Sequence, residues 1–147
     1  MDSDLFELNL LESAKIYDYL LNEFRSRFDW LRLNDEEIDD NIKGLSTVLM
    51  DDVINHQFTE KYNKEPDLHN EWKRFFDFIE ELQLSGNSML IEDIDTTLLE
   101  VLASETYVDL ESILPYCGVN TRRAIYKSIS DFYGRPERAE ELKSRFG

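Results

Sequence analysis

The chain of 147 residues has one cysteine, two histidines, three prolines and five glycines, and from Phe75 to Thr121 it has no lysine or arginine at all. Each scarcity excludes something. A lone Cys117 cannot close an intramolecular disulfide. The five glycines stand apart from one another, so no Gly-rich loop is present to cradle a phosphate. No apolar run approaches the roughly 18 residues a transmembrane helix requires. The opening stretch MDSDLFELNLLES is acidic where a secretory signal is basic. The expected compartment is the cytoplasm.

The reactive side chains are equally sparse. Neither His56 nor His69 follows a Glu by three residues, as a di-iron helical bundle requires. His56, close to Phe58 on an expected helix, reads as a partly buried polar residue. The acids Asp35, Glu36, Glu37, Asp39 and Asp40, and the acids Glu92, Asp93 and Asp95, lack the alternation and central glycine of a calcium loop. No metal and no cofactor are expected. Cys117 stands in a Pro-Tyr-Cys-Gly turn with no base assigned to it, the setting of a small buried filler rather than a nucleophile. The chain does not read as an enzyme.

What is abundant is negative charge, unevenly placed. Lys and Arg total 16 against 32 Asp and Glu, a formal net charge of −16. Residues 1–74 carry 18 acids and 9 bases, residues 75–121 ten acids and no base, and residues 122–147 four acids and seven bases. A chain so acidic repels nucleic-acid phosphates and anionic membranes, and suits either solvation or a basic protein partner.

Hydrophobic residues make up 41% of the chain, aromatics 12%, which is enough to build a core in one domain of this length. Their spacing is helical. Leu10, Ala14, Tyr17, Leu21, Phe24, Phe28 and Leu31 form one stripe, with a break expected near 32–34. Asn34 would cap a second helix bearing Ile38, Ile42, Leu45, Leu49, Val53, Phe58 and Tyr62, with Gly44 inside it. A third carries Leu68, Trp72, Phe75, Ile79 and Leu82. The turn Ser85-Gly86-Asn87-Ser88 leads to a fourth with Ile91, Ile94, Leu98 and Val101. Thr106 would cap a short fifth helix. Asn120 or Thr121 would open a sixth with Ala124, Ile125, Ile129 and Phe132 facing in, and a tail helix follows Pro136. The fold expected is all-α: residues 1–147 as a single-domain bundle of six to seven helices, with an acidic middle and basic C-terminal helices.

Within the acid run, Asp77, Glu80 and Glu81 are expected on the outer side of the third helix. Glu92, Asp93, Asp95 and Glu100 are expected on the outer side of the fourth. A four-residue turn makes these helices neighbours, so the seven acids would form one surface whose self-repulsion a basic partner relieves. Arg122, Arg123 and Lys127 fall in the first turns of the sixth helix, the wrong end for its dipole, and would pair with acids of the middle segment or form a second small docking surface.

The segments Leu114-Pro115-Tyr116-Cys117-Gly118, Thr121-Arg122-Arg123-Ala124-Ile125 and Phe132-Tyr133-Gly134 resemble the C-terminal signature of a group of small, acidic, helical bacterial proteins. Some of those look like immunity proteins of toxin systems. The resemblance covers the chain from Phe75 onward and is tight over about twenty residues. It transfers no functional residue, because the motif consists of packing and capping positions. What it implies is a bacterial protein that neutralises a toxin. Joined to the charge, it gives the expectation of an immunity or inhibitor protein binding a basic toxin, a nuclease by preference, through Asp77, Glu80, Glu81, Glu92, Asp93, Asp95 and Glu100. The alternative is a helical adaptor or regulatory module whose binding groove is apolar and whose acids are solvation.

Overall fold

The computed structural model describes residues 2–34, 38 and 40–147, and for residues 2–11 and Ile42 the backbone alone. The acids Asp35, Glu36, Glu37 and Asp39, and the side chains of Leu10 and Ile42, lie outside the described residues. The class is all-α, with seven helices and no strand among the described residues. They are α1 (Asp2–Arg27), α2 (46–64), α3 (His69–Gln83), α4 (88–103), α5 (110–116), α6 (119–132) and α7 (Pro136–Phe146). Among the described residues no helix is long and apolar enough to cross a membrane. The chain forms two compact units, residues 1–58 and 59–147.

In the first unit the expected stripe of α1 is buried at Tyr17, Leu21 and Phe24 and half-buried at Ala14, and Ile16 and Leu20 beside it are buried as well. The helix ends at Arg27, short of the break expected near 32–34. Phe28, Leu31 and Leu33 stay buried beyond it because the chain turns back, Leu31 N–H bonding to Phe28 O at 3.1 Å. Arg25 donates to the Leu33 carbonyl, and the Gln57 side chain both accepts from Arg32 N–H (2.7 Å) and donates to Arg32 O (3.1 Å). The second helix starts at Ser46, later than its apolar spacing suggests, after a 3₁₀ turn at Asp40–Ile42. Gly44 is therefore outside it, at φ 82°, a left-handed conformation that only glycine adopts at no steric cost. Ser13 Oγ on α1 accepts from Ser46 N–H (3.4 Å), meeting one of the unpaired donors at the start of α2.

The second unit is built on α3, whose Trp72, Phe75, Phe76, Phe78, Ile79 and Leu82 are all buried. Full burial of each such side chain stabilises by about 1.5–3 kcal/mol, so this one helix supplies much of the unit's apolar driving force. Gly86 (φ 73°) turns the chain, and Asn87 caps α4 by accepting from Leu90 N–H at 3.1 Å, as its type and position suggest. Tyr62 at the end of α2 packs edge-on against Trp72 (5.3 Å) and hydrogen-bonds Ser112 of α5 at 2.5 Å.

Two helices of this unit contain a π-helical turn, at Asp95–Leu99 in α4 and at Ser128–Phe132 in α6. A π turn spreads its rotation over more residues, so a stripe drawn at 3.6 residues per turn drifts off the core. This overturns one expectation. Ile125 and Ile129 face in, but Phe132 is rotated outward to 64% exposure. The same helix starts at Val119 rather than at Asn120 or Thr121, and Tyr107, next to the expected cap Thr106, is exposed while α5 begins at Leu110.

A candidate partner-binding groove between α4 and α6

The seven acids expected to form one surface are put to several different uses. Asp77 is exposed and ion-paired with Lys73 one turn earlier on α3, and Glu81 is exposed. Glu80 points the other way, into the start of α6. Its Oε1 accepts from Thr121 N–H and Thr121 Oγ1, both at 2.8 Å; its Oε2 accepts from Asn120 N–H (3.1 Å) and Asn120 Nδ2 (2.9 Å). Burial alone raises the Glu80 pKa, yet the four donors together bring it below the usual carboxylate value. Asp93 is buried, because it lies three residues after Leu90 and four before Thr97, both buried on the same face of α4. Neither Glu80 nor Asp93 stands on the outer side assigned to it.

Glu92, Asp95 and Glu100 are brought together. They line one wall of a groove of about 420 Å³ whose other wall is α6. Ser88, Ile91 and Thr96 of α4 and Ala124, Lys127, Ser128, Asp131 and Phe132 of α6 complete it. Both π turns contribute to the walls: Asp95 and Thr96 from one, Ser128, Asp131 and Phe132 from the other. Such turns occur with unusual frequency at functional sites. Tyr133 Oη donates to Glu100 O at 2.8 Å and ties the end of α6 to α4. Four carboxylates thus surround an apolar trough, and among the described lining residues Lys127 is the only cation.

Asp95 is half-buried and bonded by Gln83 Nε2 at 2.7 Å. Burial raises its pKa; the Gln83 bond and the charge of Lys127 oppose that rise, and the charge of Glu92 adds to it. Asp131 and Phe132 are the members that helical spacing did not place here. Nothing in the local sequence announces the π turn that delivers them.

The basic end neutralises other acids of the run, though not through the residues expected. Arg138 forks onto both Glu105 oxygens (2.5 and 3.0 Å) and reaches Glu111 and Glu141, each at 3.0 Å. Arg135 and Arg145 add pairs to Glu105 (3.2 Å) and Glu111 (2.5 Å). Hydrogen bonds and the positive charge of these arginines hold Glu105 and Glu111 below their ordinary pKa, against a smaller opposing effect of burial. Arg122 instead bonds the carbonyls of Cys117 and Gly147, and Arg123 bonds Asn120 Oδ1 at 3.3 Å. Arg123, Lys127 and Lys143 rim a second hollow, of about 430 Å³, between α6 and α7.

Cys117 is 4% exposed, its Sγ donates to Ile113 O at 3.6 Å, and burial pushes its thiol pKa far up. That is the environment of an inert thiol. His56 is exposed rather than partly buried. No group of three or more potential metal ligands occurs among the described residues. No family model matches the chain, and no curated protein or solved structure matches it either.

Proposed function

We propose that this chain is a binding protein that captures and neutralises a basic partner, an immunity protein for a toxin whose preferred class is a nuclease. The observation that carries the reading is the α4–α6 groove, where Glu92, Asp95, Glu100 and Asp131 surround apolar walls. A nuclease domain is cationic where it holds phosphate, so a carboxylate-lined face is complementary to it and is steered toward it at high rate. The contacts proposed are Glu92, Asp95 and Glu100, joined by Asp131, with exposed Glu81 adding to the long-range field. Glu80 and Asp93 are withdrawn from the contact set by their internal positions.

The test is capture from the native cell lysate by the wild-type chain and by the triple variant Glu92→Lys, Asp95→Lys, Glu100→Lys. A basic protein held at low salt, released at high salt, lost by the variant, and toxic to cells unless the wild-type chain is co-expressed, is the expected result. The exposed ring of Phe132 favours a second reading, an adaptor that docks through apolar contact. A complex that survives both high salt and charge reversal but is lost on Phe132→Ala would replace the first reading with the second.

A further inference from the structure

Asp95 is a half-buried carboxylate of the groove whose bonding capacity the fold leaves partly unfilled. Gln83 serves Oδ1, while Oδ2 takes no hydrogen bond from the described residues. Lys127 lies near enough to act on the Asp95 charge, yet the two form no ion pair within 4.0 Å among the described residues. A half-buried carboxylate in this condition is stabilised by a cation that tolerates partial dehydration. An ammonium is compact and strongly hydrated. A guanidinium is planar and weakly hydrated, presents parallel N–H donors, and stacks on aromatic faces. The walls beside Asp95 fit that shape: Ile91 and Ala124 are apolar, and the Phe132 ring is 64% exposed at the same groove.

We infer that the groove takes an arginine side chain of the partner protein, with the guanidinium on Asp95 and the aliphatic stem along Ile91 and Phe132. This rests on the reading of the groove as a docking surface for a basic partner, and adds which side chain anchors it. Glu92, Glu100 and Asp131 supply the field that attracts any cation; Asp95 and Phe132 distinguish arginine from lysine.

The experiment is a heteronuclear NMR titration of the full chain with N-acetyl-arginine amide, and separately with N-acetyl-lysine amide. The expected result is a set of shifts confined to Ile91, Asp95, Ala124, Lys127 and Phe132, with arginine binding about tenfold more tightly than lysine. Asp95→Asn keeps the acceptor for Gln83 and should weaken arginine binding about tenfold, equivalent to about 1.4 kcal/mol. Phe132→Ala should weaken arginine more than lysine. Equal binding of the two probes, or arginine shifts unchanged by Asp95→Asn, overturns the inference. If the triple charge reversal abolishes partner capture while the probes fail to discriminate, the docking reading stands and the arginine anchor falls. If arginine binds as expected and no basic protein is captured, the anchor site stands and the docking reading falls.

Discussion

Removal of the Glu80 carboxylate should be the most damaging single change to the second unit outside its apolar core. Four donors converge on it from the first turn of α6. Two are backbone N–H groups of that turn, which have no partner within their own helix. Hydrogen bonds to a charged group are worth about 1.5–3 kcal/mol each when well made, and not all add. Thr121 is fully buried, so its N–H and hydroxyl lose access to any substitute. Glu80→Ala should therefore cost about 3 kcal/mol, and Glu80→Gln about 2, since the amide nitrogen would face donors with a donor. For a chain of this length that corresponds to a fall in Tm of roughly 6–12 °C for the alanine variant. The assay is chemical denaturation followed by circular dichroism between about pH 7 and pH 2.5, a range spanning the carboxylate titration. Because the folded pKa of Glu80 is lowered, its contribution is complete above the unfolded value of about 4.3 and fades as pH falls through the folded value. Gly118 extends the test: its φ of −74° is ordinary, but a Cβ there would come within 2.4–2.7 Å of Glu80 Cδ, Cγ and Oε1. Gly118→Ala should be costly alone and nearly neutral in the Glu80→Ala background, a double-mutant cycle with strong coupling. A Glu80→Ala penalty under about 0.5 kcal/mol, a penalty that does not change across the acid range, or additivity with Gly118→Ala would refute the reasoning.

Arg138→Ala should destabilise by about 1–2 kcal/mol, less than a fully buried pair would, because the network's rim is open to water. Arg138→Lys should recover little, since lysine cannot fork onto Glu105, and denaturant midpoints of the two variants check this. Cys117 in the native chain should react with iodoacetamide at least about a hundredfold more slowly than in the denatured chain, as mass spectrometry would report; fast labelling would contradict its burial. Asp95→Asn should leave the free chain as stable as wild type or more stable near neutral pH. The raised pKa of Asp95 means that folding disfavours its ionised form. The advantage of the variant should shrink as pH falls through the folded value and vanish below about 3.9, which denaturant midpoints across that range would show.

The class and the helices were legible because burial follows a 3.6-residue period, and α3, with its six buried aromatic and aliphatic residues, shows that period without interruption. The failures have separate physical causes. Gly44 reads as a helical residue until its positive φ is seen, because a glycine in a turn and one in a helix look alike in sequence. Periodicity misleads at α6, where Phe132 obeys the α-helical spacing from Ile125 and Ile129 but the π turn rotates it into solvent. Asn120 and Thr121 are the residue types that cap helices, and they do sit at the start of α6. They act there as donors to Glu80, about forty residues away in the chain, rather than as caps. A long-range partner of this kind leaves no local mark.

The charge pattern poses the same difficulty at a larger scale. Ten acids in a run without a base suggest a uniform negative face. Yet the fold consumes half of them: Glu105 and Glu111 in the arginine network, Asp77 with Lys73, Glu80 under α6, and Asp93 in the interior. Asp77, Glu105 and Glu111 are each paired with a cation, while Glu80 and Asp93 are turned inward and present no carboxylate to a partner. The groove acids share one cavity. Glu92, Asp95 and Glu100 line one wall, and Asp131, from the net-basic C-terminal segment, lines the other. Carboxylates beside an apolar wall act through a lower dielectric than the same groups on an open helix face, and the field is focused there. Three acids of the run and Asp131 thus meet at one groove, where the π turn of α6 has also delivered an exposed aromatic ring. Carboxylates, an apolar wall and an exposed ring in one groove are the features that the proposed cation-binding surface would use.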